Sequence, residues 1–213
     1  MEGIPVKVLN RILATVVLVG TTGISSAATL FSDDFESGLG QWTAGNGQIV
    51  ADPAGGTNQV LNFSSLNSAG DIFSTSSMYS SNSNLFTLSF DYYGTSNNSG
   101  GFIGYSQGTP GSHVWLAGSD TNYSGTWLWS QNAAGPLTDR ILIGDNNWHS
   151  YQLTFAGLFN PIRLMLEDFV GSDNTAGNAY FDNIVLTNAV PVPAAVWLFG
   201  TALIGLAGFS RRR

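Results

Sequence analysis

The chain reads as an all-β protein, an antiparallel β-sandwich of the jelly-roll kind flanked by an N-terminal signal peptide and a C-terminal transmembrane helix. Three observations predict it. Apolar and polar residues alternate strictly in many short runs, clusters of Gly, Asn, Asp and Ser separate those runs, and no stretch of the middle holds a helical period. The clearest run is "LFTLSFDYY", in which Phe86, Leu88, Phe90 and Tyr92 point one way and Thr87, Ser89, Asp91 and Tyr93 the other. Taken in order, "FSDDFE", "QIVA", "QVLNF", "LFTLSFDYY", "GFIGYSQ", "HVWLA", "TWLWSQ", "WHSYQLTF", "IRLMLEDF" and "AYFDNIVLT" are the expected strands. "SSMYSSNSN" and "GTSNNSGG" between them are expected to be exposed turns.

The ends differ from this middle. Lys7 and Arg11 precede an apolar run over 12–19 and then small residues up to Ala28, the order of a secretory signal peptide with cleavage after Ala27 or Ala28. At the other end, residues 194–209 carry no charge, which makes roughly 24 Å of helix, just enough to span a bilayer. Arg211, Arg212 and Arg213 follow it and would stay cytoplasmic, leaving the middle outside. Pro191 and Pro193 keep that helix from growing backwards. The expected organisation is a signal peptide at 1–28, a sandwich at 29–188 and a sorting segment at 189–213 with its helix at 194–209.

Composition narrows the partners. The 213 residues hold 7 basic and 14 acidic groups, and charged residues make up only 10%. Within 29–188 only Arg140 and Arg163 stand against thirteen acidic residues, a formal charge of −11. Such a surface repels nucleic acid and anionic headgroups, and suits neutral polymers and divalent cations. There is no cysteine, so packing, helped at most by a bound ion, must hold the exported fold. Thiolate metal sites are excluded, and two histidines leave a zinc site short of nitrogen ligands.

The tail "VPVPAAVWLFGTALIGLAGFSRRR" resembles the PEP-CTERM sorting signal of Gram-negative bacteria, with Val192 where the name-giving pattern has Glu. The likeness covers about the last 24 residues. It implies an exosortase-type processing enzyme in the inner membrane as partner, transient anchoring, cleavage near Pro191 to Pro193, and a destination at the cell surface or in an extracellular matrix. The other reading of the same residues is a permanent single-pass anchor. "DDFESGLGQW", "NNWHSYQLTF" and "AYFDNIVLT" resemble carbohydrate-binding-module, galactose-binding-like and laminin-G-like jelly rolls.

In a jelly roll the first and last strands run close together, so Asp33, Asp34 and Glu36 on the first and Asp182 on the last can build an oxygen cage of the type Ca²⁺ prefers. The resemblance implies a structural Ca²⁺ at that position. Solvated surface carboxylates are the alternative. Sugar binding needs flat aromatic faces with amides and carboxylates beside them. Trp127 and Trp129, two apart on one strand face, are the first candidates, with Trp115, Tyr93 and Tyr123 behind them. Trp42 and Trp148 are expected in the core.

No catalytic residue is assigned. "GYSQG" matches G-x-S-x-G, with Asp145 and His149 following in order, yet "QGTPGSH" after Ser106 cannot start the helix that the motif requires. Glu167 and Asp168 are adjacent and therefore point to opposite faces of a strand, unsuited to act as a glycosidase pair. The sequence thus predicts an exported, non-enzymatic surface sandwich associated with exopolysaccharide. A polysaccharide hydrolase and a protein-contacting adhesin are the alternatives.

Overall fold

A computed structural model of the chain describes residues 27–68, 70–80, 84–107, 113–119, 141–158 and 160–188. They form ten strands: β1 (Thr29–Asp33), β2 (Gly47–Ala51), β3 (Gln59–Phe63), β4 (Ile72–Phe73), β5 (Leu85–Gly94), β6 (Gly101–Ser106), β7 (His113–Gly118), β8 (Trp148–Ala156), β9 (Arg163–Asp168) and β10 (Ala179–Asn188). The 194–209 helix, "TWLWSQ" and the signal sequence up to residue 26 lie outside the described residues. Among the described residues no helix is long and apolar enough to cross a membrane.

The strands make two antiparallel sheets. One has the order β2-β3-β10-β5-β8, with β1 also paired to β10; the other has the order β4-β9-β6-β7. β3 pairs with β10, β4 with β9, β5 with β8 and β6 with β7. Those nested pairings are the jelly roll, since an antiparallel ribbon wound on itself joins first to last, second to second-last and so inward. β2 is added at its edge, outside β3, and β1 runs along the later half of β10.

Alternation in β5 works as read: Phe86, Leu88, Phe90 and Tyr92 enter the core, where Ile103 and Tyr105 of β6, Leu164 and Leu166 of β9, Leu153 and Phe155 of β8 and Phe181 of β10 meet them. Tyr105 stacks on Phe155 with ring centroids 5.1 Å apart, joining the two sheets. β6 is buried at every position, which is how a strand covered on both faces reads. Across from it, β7 carries a bulge between the partners of Ile103 and Gly104, so Val114, Leu116 and Ala117 all reach the core while Trp115 turns away.

Three local expectations change. β1 stops at Asp33, so Asp34 and Glu36 sit in the following turn and not on the strand. The cause is an Asx turn, in which Asp33 Oδ1 accepts from Phe35 N and Phe35 adopts φ 58°. "GTSNNSGG" is only partly exposed: Ser99 is fully buried and bonded to Tyr92 Oη. The two-residue β4 has no counterpart among the expected strands, being too short to show a period.

Candidate functional site

The outward phase of β5 places Tyr93 on the solvent side of the larger sheet. Register sets Trp148 of β8 opposite it on one flank and Tyr180 of β10 opposite it on the other. The result is an aromatic row across three adjacent strands, with Tyr93 centroids 5.5 Å from Trp148 and 5.6 Å from Tyr180. Tyr93 is buried at the centre, and the two flanking rings are half-buried. Burial, and then the neighbouring Tyr93, raises the pKa of the Tyr180 hydroxyl, which therefore remains a neutral donor and acceptor.

Two residues along the strands lies a polar row. Asp91 pairs with Ser150 on β8 and Asp182 on β10. Ser150 Oγ donates to Asp91 Oδ1, and Asn183 Nδ2 donates to Asp91 Oδ2 at 2.8 Å. The connection between β2 and β3 borders the same face. Asn58 Nδ2 donates to Asp182 Oδ2 at 2.9 Å, and Asp52 Oδ1 accepts from Trp148 Nε1 at 2.9 Å. Half-open rings beside carboxylate, amide and hydroxyl groups can take the C–H face of a pyranose and its hydroxyls together.

Trp115, expected in such a platform, faces outward from the other sheet. It packs with Phe102 and Met165, with Phe73 and Phe169 against them, in a small cluster apart from the main core. Glycine makes the room: a Cβ at Gly118 would meet the Phe102 ring at 2.2 Å, and one at Gly104 would lie 2.9 Å from Trp115 Cε3. Trp115 is 0% exposed, so neither indole face is open to a ligand. The structure thus separates Trp115 from Tyr93 and joins Tyr93 to Trp148 and Tyr180. Trp148 is not a core residue as expected, and Tyr180 was not singled out. Trp148 shares its phase with Ser150, Gln152 and Thr154, the polar side of β8, a signal that was present in the sequence. Tyr123, Trp127 and Trp129 lie outside the described residues, as do Pro191, Pro193 and Arg211 to Arg213.

The four residues expected to hold Ca²⁺ each accept hydrogen bonds from the chain itself. Asp33 gives Oδ1 to Phe35 N at 2.9 Å and Oδ2 to Trp42 Nε1 at 2.8 Å. Asp34 Oδ1 accepts from Glu36 N, Glu36 Oε1 from Gln59 N at 2.8 Å, and Asp182 Oδ1 from Asn183 N at 2.7 Å. Asp33 has both oxygens engaged in this way, and Asp34 and Glu36 one each. Among the described residues no three His, Asp or Glu side chains gather as a metal-holding group. Burial, followed by the nearby Asp91 and Asp34, raises the Asp182 pKa, and Asn58 and Asn183 oppose that shift.

Ser106 ends β6, paired to Arg163 and His113, whereas His149 lies on β8 of the other sheet, bonded to Asp145 at 2.9 Å. The G-x-S-x-G match is therefore part of a strand ladder and not a strand-to-helix elbow.

No family model matches the chain, and no curated protein matches it. Among solved structures it is similar to the CBM22-1 xylan-binding domain of Paenibacillus barcinonensis Xyn10C, at 16% identity over 78% of this chain and 98% of that one, with a TM-score of 0.46. A CBM6 module of Cellvibrio mixtus lichenase 5A, solved with cellotriose, aligns at 12% identity over 76% of this chain and 100% of that one, TM-score 0.40. The K1 cleaved adhesin domain of Lys-gingipain from Porphyromonas gingivalis aligns at 12% identity over 76% and 99%, TM-score 0.47.

Proposed function

We propose that this chain is an exported, non-enzymatic sandwich of the cell surface or extracellular matrix of a Gram-negative bacterium, and that it binds a neutral exopolysaccharide on the outer face of its larger sheet. One observation carries the binding: the row Trp148, Tyr93 and Tyr180 lies alongside Ser150, Asp91 and Asn183. Cross-strand ring pairs stabilise the sheet by themselves; what supports binding is that Trp148 and Tyr180 stay half open on a solvent face beside carboxylate, amide and hydroxyl groups. The acidic, cation-poor middle favours an uncharged polymer over an anionic one. Export follows from the N-terminal signal. The proline-to-arginine tail then makes the protein a substrate for an exosortase-type enzyme, which removes the tail and hands the sandwich to the surface.

Affinity electrophoresis of the full chain through soluble glucans, xylans and the producer's own exopolysaccharide tests the binding. Retardation is expected, and Trp148→Ala combined with Tyr180→Ala should weaken it at least about tenfold, roughly 1.4 kcal/mol, with the β-sheet circular dichroism unchanged. Retardation undiminished in that variant would rule out this face. Turnover of the polymer would point to a hydrolase, and no interaction with any polymer to a protein-contacting adhesin. The intact mass of the protein from culture tests the sorting: both ends should be missing, and a retained "SRRR" would make the tail a plain anchor.

A further inference from the structure

Where β9 ends, the chain turns back beside the connection between β5 and β6. Phe169 N donates to Gly100 O at 2.7 Å, and Asp173 N to Asn98 O at 3.1 Å, so 98–100 and 168–173 run side by side. Asp168, the last residue of β9, shares the inward phase of Leu164 and Leu166 and is 0% exposed. Its Oδ2 accepts from Gly177 N at 3.0 Å, and its Oδ1 has no partner. Two more buried oxygens in the same paired segments also lack one, Asn98 Oδ1 and Ser172 Oγ. A buried oxygen has lost its water and must regain a partner, so three such atoms in one corner mark a missing electrophile.

The charge balance points the same way. Asp71 and Asp173 are close enough to act on Asp168 electrostatically. Asp71 Oδ2 accepts from Asp168 N at 2.8 Å, and Asp173 Oδ2 accepts from Ser96 Oγ and Asn178 Nδ2. Arg163, the one Lys or Arg among the described residues, donates to Ser77 Oγ instead. Gly100 makes room for the carboxylate: it holds φ 86°, and a Cβ there would lie 2.2 Å from Asp168 Oδ1.

We infer that this corner binds one hard divalent cation of the calcium class, with Asp168 Oδ1, Asn98 Oδ1 and Ser172 Oγ among its ligands. Carboxylate, amide and hydroxyl oxygens are the donor set such an ion takes, and one ion satisfies Asp168 Oδ1 and Asn98 Oδ1, two acceptors that cannot satisfy each other as carboxylate and amide oxygen. The ion ties together two connections at one end of the sandwich, in a domain without cysteine to do so. This site is separate from the carboxylates of the first and last strands and from the aromatic row.

The full chain, stripped with chelator and titrated with CaCl₂ and separately with MgCl₂, tests it by thermal midpoint and by Tb³⁺ luminescence. Calcium should raise the midpoint with a dissociation constant of about 10⁻⁴ to 10⁻³ M, typical of extracellular modules, and magnesium should do so far less. Asp168→Asn should abolish the calcium shift, and Asn98→Ala and Ser172→Ala should each weaken binding at least about threefold. Asp182→Asn should leave the shift intact. No calcium shift up to about 10 mM, a shift that survives Asp168→Asn, or one lost on Asp182→Asn overturns the assignment. If Asp168→Asn does not fold, the Asn98→Ala, Ser172→Ala double variant decides, and unchanged calcium affinity there overturns it.

Discussion

Two acidic corners of the sandwich invite comparison. Where the first and last strands meet, Asp33, Asp34, Glu36, Asp91 and Asp182 each accept hydrogen bonds from the chain itself. Where β9 runs into β10, Asp71 and Asp173 act on Asp168 electrostatically, yet one oxygen of the buried Asp168 is left without a partner. The difference lies in donors, not in the number of carboxylates. Phe35 and Asn183, at φ 58° and 49°, turn their N–H groups back onto Asp33 and Asp182, and Trp42 and Asn58 supply side-chain donors. At β9 the shortage is confined to one acid: Asp71 takes Asn46 Nδ2 and Asp168 N, and Asp173 takes Thr175 N, Asn178 Nδ2 and Ser96 Oγ, whereas Asp168 takes Gly177 N alone. A count of acidic residues locates charge, whereas a cation site is located by lone pairs that nothing in the protein uses.

The largest test of this contrast is pH. Burial, with Asp71 and then Asp173 adding repulsion and Gly177 N opposing, raises the Asp168 pKa from 3.8 to about 7. The folded state therefore holds a proton that the unfolded chain releases. The stability it contributes is complete below about pH 3.8 and is lost as pH rises through about 7. In chelator, the difference in unfolding free energy between the natural chain and Asp168→Asn should fall by up to roughly 4 kcal/mol between pH 4 and pH 8. Asp71, Asp173 and the Tyr92 hydroxyl are the titratable groups around Asp168, and they remain in both proteins, so the difference isolates the one carboxyl. A flat difference would mean that Asp168 is solvated or paired in a way its surroundings do not reveal.

At the other corner the expected response is structural. Asp33→Ala leaves the buried indole N–H of Trp42 and the N–H of Phe35 without acceptors, beneath rings that pack on Trp42 at 5.3 and 6.1 Å. A cost of about 3 kcal/mol in urea unfolding follows. Because Asp33 serves the chain and not an ion, the cost should be equal in chelator and in excess calcium. A loss seen only with calcium present would make Asp33 a metal ligand and erase the contrast.

Much of the architecture was legible because it follows from a period of two. The alternation of β5 gave both faces correctly, and the same rule applied to β8 and β10 puts Trp148 and Tyr180 outside beside Tyr93. What was not legible is register. No local pattern states that Tyr93 stands between Trp148 and Tyr180, 55 and 87 positions further along, because strand pairing over that separation is decided by the whole fold. Trp115 shows the converse, since its outward phase was readable but its burial depends on what packs over the strand. At the acidic corners, sequence shows carboxylates but not the backbone N–H groups aimed at them. Those accompany positive φ at Phe35, a residue that rarely adopts it without tertiary support, and at Asn183, which adopts it readily but here within the irregularity of β10 that its pairing sets.

The smallest expected effect links the donor-rich corner to the ligand face. Asn58→Ala removes one donor from Asp182 Oδ2, which keeps the weaker Asn183 Nδ2 contact at 3.3 Å. Burial already raises the Asp182 pKa and Asn58 counters that shift. Removing Asn58 therefore raises the pKa further, and the penalty belongs to the charged form. About 1 kcal/mol should be lost at pH 7, shrinking as pH falls and Asp182 takes up a proton. Asn58 also ends the connection that carries Asp52 to Trp148, so the same variant should loosen one border of the aromatic row. Polysaccharide retardation should then fall about two- to threefold, or roughly 0.5 kcal/mol, while Asp33→Ala, assayed where it is still folded, should leave it unchanged. If both variants weaken retardation equally, the β2–β3 connection has no specific part in holding the ligand, and the corner influences binding only through overall stability.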